Sequence, residues 1–151
     1  MSDDDMLTLV MAKKVALQQR AAREERHARE LQDAHAHVID LWPRALDELI
    51  QAVTDMNAMF AEARSGDSFD FSHALERDHF LYIDRLWVVL NNLAQPGPLK
   101  ARITVETSGM VDVDIHSNRG IDKMNFKLAG ESRSKWDNIL RRLFALSVPS
   151  L

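Results

Sequence analysis

Residues 99–117 read LKARITVETSGMVDVDIHS, and their period decides the fold. Leu99, Ala101, Ile103 and Val105 alternate with Lys100, Arg102, Thr104 and Glu106. After Thr107, Ser108 and Gly109 the alternation resumes, Val111, Val113 and Ile115 against Asp112, Asp114 and His116. Strand side chains point to opposite faces in turn, so two such runs joined by a short polar turn predict a hairpin with one apolar and one wet face. A second turn, SNRG at 117–120, leads to Met124, Phe126 and Leu128 alternating with Lys123, Asn125 and Lys127. A three-stranded antiparallel β-meander follows.

Upstream of residue 99 the expected period is helical. Residues 6–39 contain neither Gly nor Pro and are rich in Ala, Leu, Gln, Arg and Glu, which predicts one helix about 50 Å long. Its heptad seam runs Val10, Lys14, Leu17, Ala21, Glu24, Ala28, Leu31, His35, Val38 and Trp42, apolar at both ends and weak in the middle. Pro43 lacks an amide donor, so the helix is expected to kink or restart near residues 39–41 with Asp40 as N-cap. A second helix carries Leu46, Leu49, Ile50, Val53, Met56 and Phe60 and ends with Gly66 in the C-cap position. After a loop holding Phe69 and Phe71, Ser72 is read as the N-cap of a third helix reaching about Ala94, with Leu75, Phe80, Ile83, Leu86, Trp87, Leu90 and Leu93 as its stripe and QPGP at 95–98 as its stop. Ser134 with Asp137 forms a capping-box pattern for a last helix bearing Trp136, Ile139, Leu140, Leu143 and Phe144. The expected class is α+β: a long N-terminal helix, two further helices, the meander and a C-terminal helix. It divides into an extended arm, 1–40, and a compact α+β domain, 41–151.

Composition removes several kinds of chemistry. The 151 residues include no cysteine, so disulfides and thiolate chemistry are excluded. Five glycines, with no Gly-rich loop between strand and helix and no G-x-S-x-G, give no phosphate cradle and no nucleophile elbow. A formal net charge of -4 offers nucleic acid or anionic membrane no overall attraction. The acidic start MSDDD is read as neither signal peptide nor anchor, and no stretch is apolar enough to span a bilayer, so a cytoplasmic protein is expected.

Three constellations can be weighed as sites. Asp112, Asp114 and His116 share one strand face, but neighbours there stand about 7 Å apart and cannot all reach one ion. Lys100, Arg102, Lys123 and Lys127 are expected on the same face, which favours a solvated charge ladder over a metal centre or acid/base pair. Glu24 with His27 and Glu76 with His79 have Glu-x-x-His spacing, yet a di-iron bundle needs two more carboxylates on long inward-facing helices. His35 and His37 fall on nearly opposite helix faces and cannot chelate together. The third constellation is the basic stretch Lys13, Lys14, Arg20, Arg23, Arg26 and Arg29, the alternative nucleic-acid contact. Arg20–Glu24, Glu25–Arg29 and Arg26–Glu30 are i,i+4 pairs, and no aromatics interleave, so a charge-laced helix is favoured.

The long helix is out of proportion to a body of about 110 residues, whose radius of gyration would be near 13 Å. A non-catalytic interaction module is therefore expected, binding no cofactor. Val10, Leu17, Leu31, His35, Val38 and Trp42 would meet a helical partner or a second copy, with a dimer as the commonest closed assembly. The alternatives are the nucleic-acid regulator just described and a metal-dependent enzyme built on Asp112, Asp114 and His116.

Overall fold

The structure, a computed structural model, describes residues 2–73, 82–92 and 99–148. Helix α1 spans Asp3–Ala63 without interruption. The expected break at residues 39–41 is absent: Pro43 lies inside the helix and Asp40 is a mid-helix residue rather than an N-cap. The reason is packing on both sides of the proline. Val38, Trp42, Ala45, Leu49, Ala52, Val53 and Phe60 fall on one helical face and are buried, so that face is held against the body on either side of Pro43, which is itself exposed. Arg64, not Gly66, takes the left-handed cap conformation (φ 53°), and its amide bonds back to the Ala61 and Phe60 carbonyls.

Five strands follow among the described residues: β1 Ser68–His73, β2 Tyr82–Asn91, β3 Leu99–Glu106, β4 Met110–Ser117 and β5 Gly120–Lys127. They form one antiparallel meander in sequence order. The α+β class and the hairpins of residues 99–127 match the sequence reading, while the third helix does not. Ser72 belongs to β1, paired with Trp87, and Phe69 and Phe71 are strand residues opposite Leu90 and Val88. The expected positions Leu75, Glu76, His79, Phe80 and Leu93, and the stop at 95–98, lie outside the described residues. Helix α2, Arg133–Ala145, closes the fold.

The inner face of the sheet carries Phe69, Leu86, Val88, Leu90, Ala101, Ile103, Val105, Val111, Val113 and Ile115, all buried under the C-terminal half of α1 and under α2. Neither element can stay dry alone, so they cover each other. Asn57 of α1 clamps β1, accepting from the Phe69 amide at 2.8 Å and donating to its carbonyl at 3.1 Å. Helix α2 is tied to α1 by Trp136, whose Nε1 donates to the Ala45 carbonyl at 2.9 Å. The expected Ser134 capping box is replaced: Ser132 is the N-cap, its amide donates to Glu48 of α1 at 2.7 Å, and Asp137 instead accepts from Arg133 Nε. Arg133 also bonds Asp55 at 2.7 Å, and this guanidinium, with the Gln51 amide, holds the Asp55 carboxyl below the usual carboxylate range. Its contribution to stability is present above that range and is lost as pH falls through the lowered pKa.

Candidate interaction surface

Every described residue from Ser2 to His37 is exposed, and Val38 is the first buried position of the chain. The start of α1 is nonetheless well made. Ser2 and Asp5 form a capping box, and Asp3, Asp4 and Asp5 put negative charge at the positive end of the helix dipole. Further along, Arg20 bonds Glu24 at 3.2 Å and Arg29 bonds Glu25 at 2.6 Å, both on the helix surface. Such pairs add a few tenths of a kcal/mol each to an exposed helix.

The apolar content of this segment is concentrated in its first four turns. Met6, Leu7, Leu9, Val10, Met11, Val15 and Leu17 are each between 48% and 61% exposed. At 100° per residue they spread over about two-thirds of the circumference, leaving the sector around Ala12 free, rather than along one narrow stripe. Leu31, at 58% exposed, and the exposed His35 continue the seam toward the body.

Val38 and Trp42, expected to face a partner, are instead occupied within the chain. Val38 meets the β3–β4 turn at Gly109, where a Cβ would stand 3.0 Å from its Cγ2 and where φ is +93°. Trp42 donates through Nε1 to Asp84 Oδ2 at 2.9 Å and meets the Trp136 ring edge-on at 6.3 Å. One heptad seam thus runs from open water into the core. At the junction lies a groove of about 460 Å³ lined by Leu31, Gln32, Ala34, His35, Thr107 and Ser108.

No protein-family model, curated protein or solved structure matches this chain.

The basic residues of the arm do not make one face. Lys13, Lys14, Arg20, Arg23, Arg26 and Arg29 step right around the helix at 100° per residue, whereas a helix tracking a phosphate backbone needs them on one side. Arg20 and Arg29 are already paired with glutamates.

The outer sheet face holds the other candidates. Asp114 lies opposite Arg102 on β3 and Lys123 on β5, and accepts from Arg102 Nη2 at 2.6 Å. His116 lies opposite Lys100, with its ring 5.3 Å from that of Trp87, over which Lys100 Nζ sits at 4.5 Å. Asp112 shares a hydrogen bond with Glu106, and that contact, with some burial, pushes the Glu106 carboxyl above the ordinary glutamate range. Among the described residues no three His, Asp or Glu side chains stand together as metal ligands. Of the three β4 residues, Asp114 meets a cation as in the expected charge ladder, whereas Asp112 meets the Glu106 carboxyl and His116 the Trp87 ring. Three residues of this face are not singled out by the sequence: Glu106 reads only as a wet strand position, and Arg85 and Trp87 fall within the expected third helix. The adjacent residues Val88 and Val89, β-branched, were the available signal for a strand.

The Glu106–Asp112 pair makes a prediction. A carboxyl whose pKa is raised by folding stabilises the fold fully at low pH and loses that contribution as pH rises through the raised value. Glu106→Gln should therefore melt at a higher temperature than the parent at pH 7, with the gain vanishing in acid below the carboxylate range. Calorimetric melts at the two pH values check this.

Among the described residues no helix is long and apolar enough to cross a membrane.

Proposed function

We propose that this chain is a cytoplasmic, non-catalytic protein–protein interaction module, an adaptor or accessory subunit whose N-terminal helix oligomerises or docks a protein partner. The observation that carries the proposal is the helix from Asp3 to His37, capped at its start and exposed throughout, with seven large apolar side chains between Met6 and Leu17 at 48–61% exposure. Covering them would contribute on the order of 1 kcal/mol each, since full burial of such a side chain is worth about 1.5–3 kcal/mol. A helix in water draws most of its stability from packing of an apolar face, so covering this segment also stabilises the helix itself. The groove between Leu31, His35 and the β3–β4 turn extends the same apolar seam to the body.

Deletion of residues 2–30 tests the reading, because it leaves His35, Val38 and Trp42 in place. The shortened chain should keep a cooperative thermal transition while its mass by light scattering falls from that of the full-length assembly to that of a monomer. An assembly that survives the deletion would place the interface on the body and overturn the proposal. So would a monomeric full-length chain whose residues 6–17 are strongly protected from amide exchange by its own body.

A further inference from the structure

We infer that the occupant of the α1 seam is a second copy of this chain, running antiparallel, in one defined register. This rests on the reading of α1 as the docking element and adds the partner and its geometry. The free part of the seam consists of Asp3, Leu7, Val10, Lys14, Leu17, Ala21, Glu24, Ala28, Leu31 and His35. Knobs-into-holes packing of antiparallel helices places the two kinds of seam position opposite one another. One register does this with chemistry that matches at every layer. Leu7 meets Leu31 of the second copy, Val10 meets Ala28, Leu17 meets Ala21, Lys14 meets Glu24, and Asp3 meets His35. Two-fold symmetry repeats each layer on the other side of an axis at the level of Gln19.

Other arrangements of the same two helices do worse. Parallel and in register, Lys14 would face its own copy and so would Glu24, setting like charges against each other at two layers of the seam. Sliding the antiparallel partner by one heptad in one direction sets Leu17 against Lys14 and Glu24 against Leu7. Sliding it in the other sets Leu31 against Lys14 and brings Asp3 to Trp42, which is buried. The polar residues that weaken the seam thus select orientation and register, as polar seam positions do in coiled coils.

Two features of the structure fit this register independently of the pairing. The β3–β4 turn closes off the seam at Val38, so its uncovered length runs from the first helical residue, Asp3, to His35, the same span the register uses. The groove lined by Leu31, Gln32, Ala34, His35, Thr107 and Ser108 lies where Asp3 and Leu7 of the second copy would arrive. Its four helical residues are the two seam positions and the two positions that flank them. Arg20, which would approach its own copy near the axis, is paired with Glu24 of its own helix. Of the seven exposed apolar residues between Met6 and Leu17, Leu7, Val10 and Leu17 lie in the seam, Met6 and Met11 flank it, and Leu9 and Val15 stay outside, as isolated surface apolar residues commonly do.

Cysteine pairing in the full-length chain, which has no cysteine of its own, tests orientation directly. Val10→Cys chains mixed and refolded with Ala28→Cys chains should give a disulfide-linked dimer on mild oxidation. Neither variant should cross-link alone, because like positions would stand about 27 Å apart along the axis at 1.5 Å per residue. In parallel, Lys14→Glu should weaken the dimer by about tenfold or more, since two layers change from attraction to repulsion, and Lys14→Glu with Glu24→Lys should restore it in part, because Glu24→Lys also deprives Arg20 of its partner. Efficient cross-linking of Val10→Cys alone, or indifference to Lys14→Glu, would overturn the antiparallel register while leaving α1 as the docking element. A full-length chain monomeric at every concentration would remove the second copy as the occupant. A dimer that persists without residues 2–30 would remove both this inference and the docking reading beneath it.

Discussion

Trp136→Ala is expected to cost about 3–5 kcal/mol, the range for emptying a large buried aromatic site. Trp136 is fully buried where three elements meet: its ring lies edge-on to Trp42 of α1 at 6.3 Å and to Phe126 of β5 at 5.3 Å. The substitution also removes the Nε1 donor from the Ala45 carbonyl, leaving a buried acceptor without its partner. Domains of this size are stable by only about 5–15 kcal/mol, so the variant should be close to unfolding. A urea titration followed by far-UV circular dichroism measures the effect as a fall in midpoint at similar slope. Trp136→Phe separates the two contributions, because it keeps most of the packing and loses the hydrogen bond. It should fall between parent and alanine variant, near 1–2 kcal/mol below the parent. An alanine variant within 1 kcal/mol of the parent would mean that α2 is not part of the cooperative core.

How far the sequence discloses this architecture depends on which faces are wet. Strands β3 to β5 are readable because one face meets solvent and the other meets helices, so polar and apolar residues alternate from Leu99 to Glu106 and again from Val111 to His116. Strand β2 is not, because apolar residues occupy both its faces. Leu86, Val88 and Leu90 point into the core, while Trp87 and Val89 lie on the outer face, where Lys100 packs on the Trp87 ring. The resulting set Ile83, Leu86, Trp87 and Leu90 has steps of three and one that mimic a helical stripe. The candidate surface shows the same limit. The seam of α1 is legible as a heptad pattern from Val10 to Trp42, but the pattern is the same whether the neighbour is another helix or the sheet. Only the fold shows that the seam meets its own body from Val38 onward.

Pro43 was the other obstacle, and it yields the second large effect: Pro43→Ala should stabilise the chain by about 2 kcal/mol. An interior proline is about 3 kcal/mol less favourable than alanine in a helix, because it deprives the carbonyl four residues back of its donor and crowds it. That carbonyl belongs to Ile39, itself 48% exposed, and Pro43 is on the solvent side, so water can serve the orphaned oxygen and no core contact is lost on substitution. Against the gain stands the greater freedom of alanine in the unfolded chain, worth about 0.4–1 kcal/mol. The difference leaves the expected 2 kcal/mol, readable as a rise in urea midpoint. The position of the proline gives the result a second reading. Pro43 follows Trp42, where α1 is anchored by the bond to Asp84, and it precedes Ala45, whose carbonyl holds Trp136. It therefore sits at the base of the exposed arm, where any bend of the helix would redirect residues 3–37 as a unit. Pro43→Ala should raise stability while changing the affinity of the α1 contact, because the arm's angle to the β3–β4 turn shapes the groove beside Leu31 and His35. If stability rises and affinity stays constant, the proline is a tolerated cost; if stability does not rise, the helix is already broken at Ile39 in solution and the continuity of α1 is wrong.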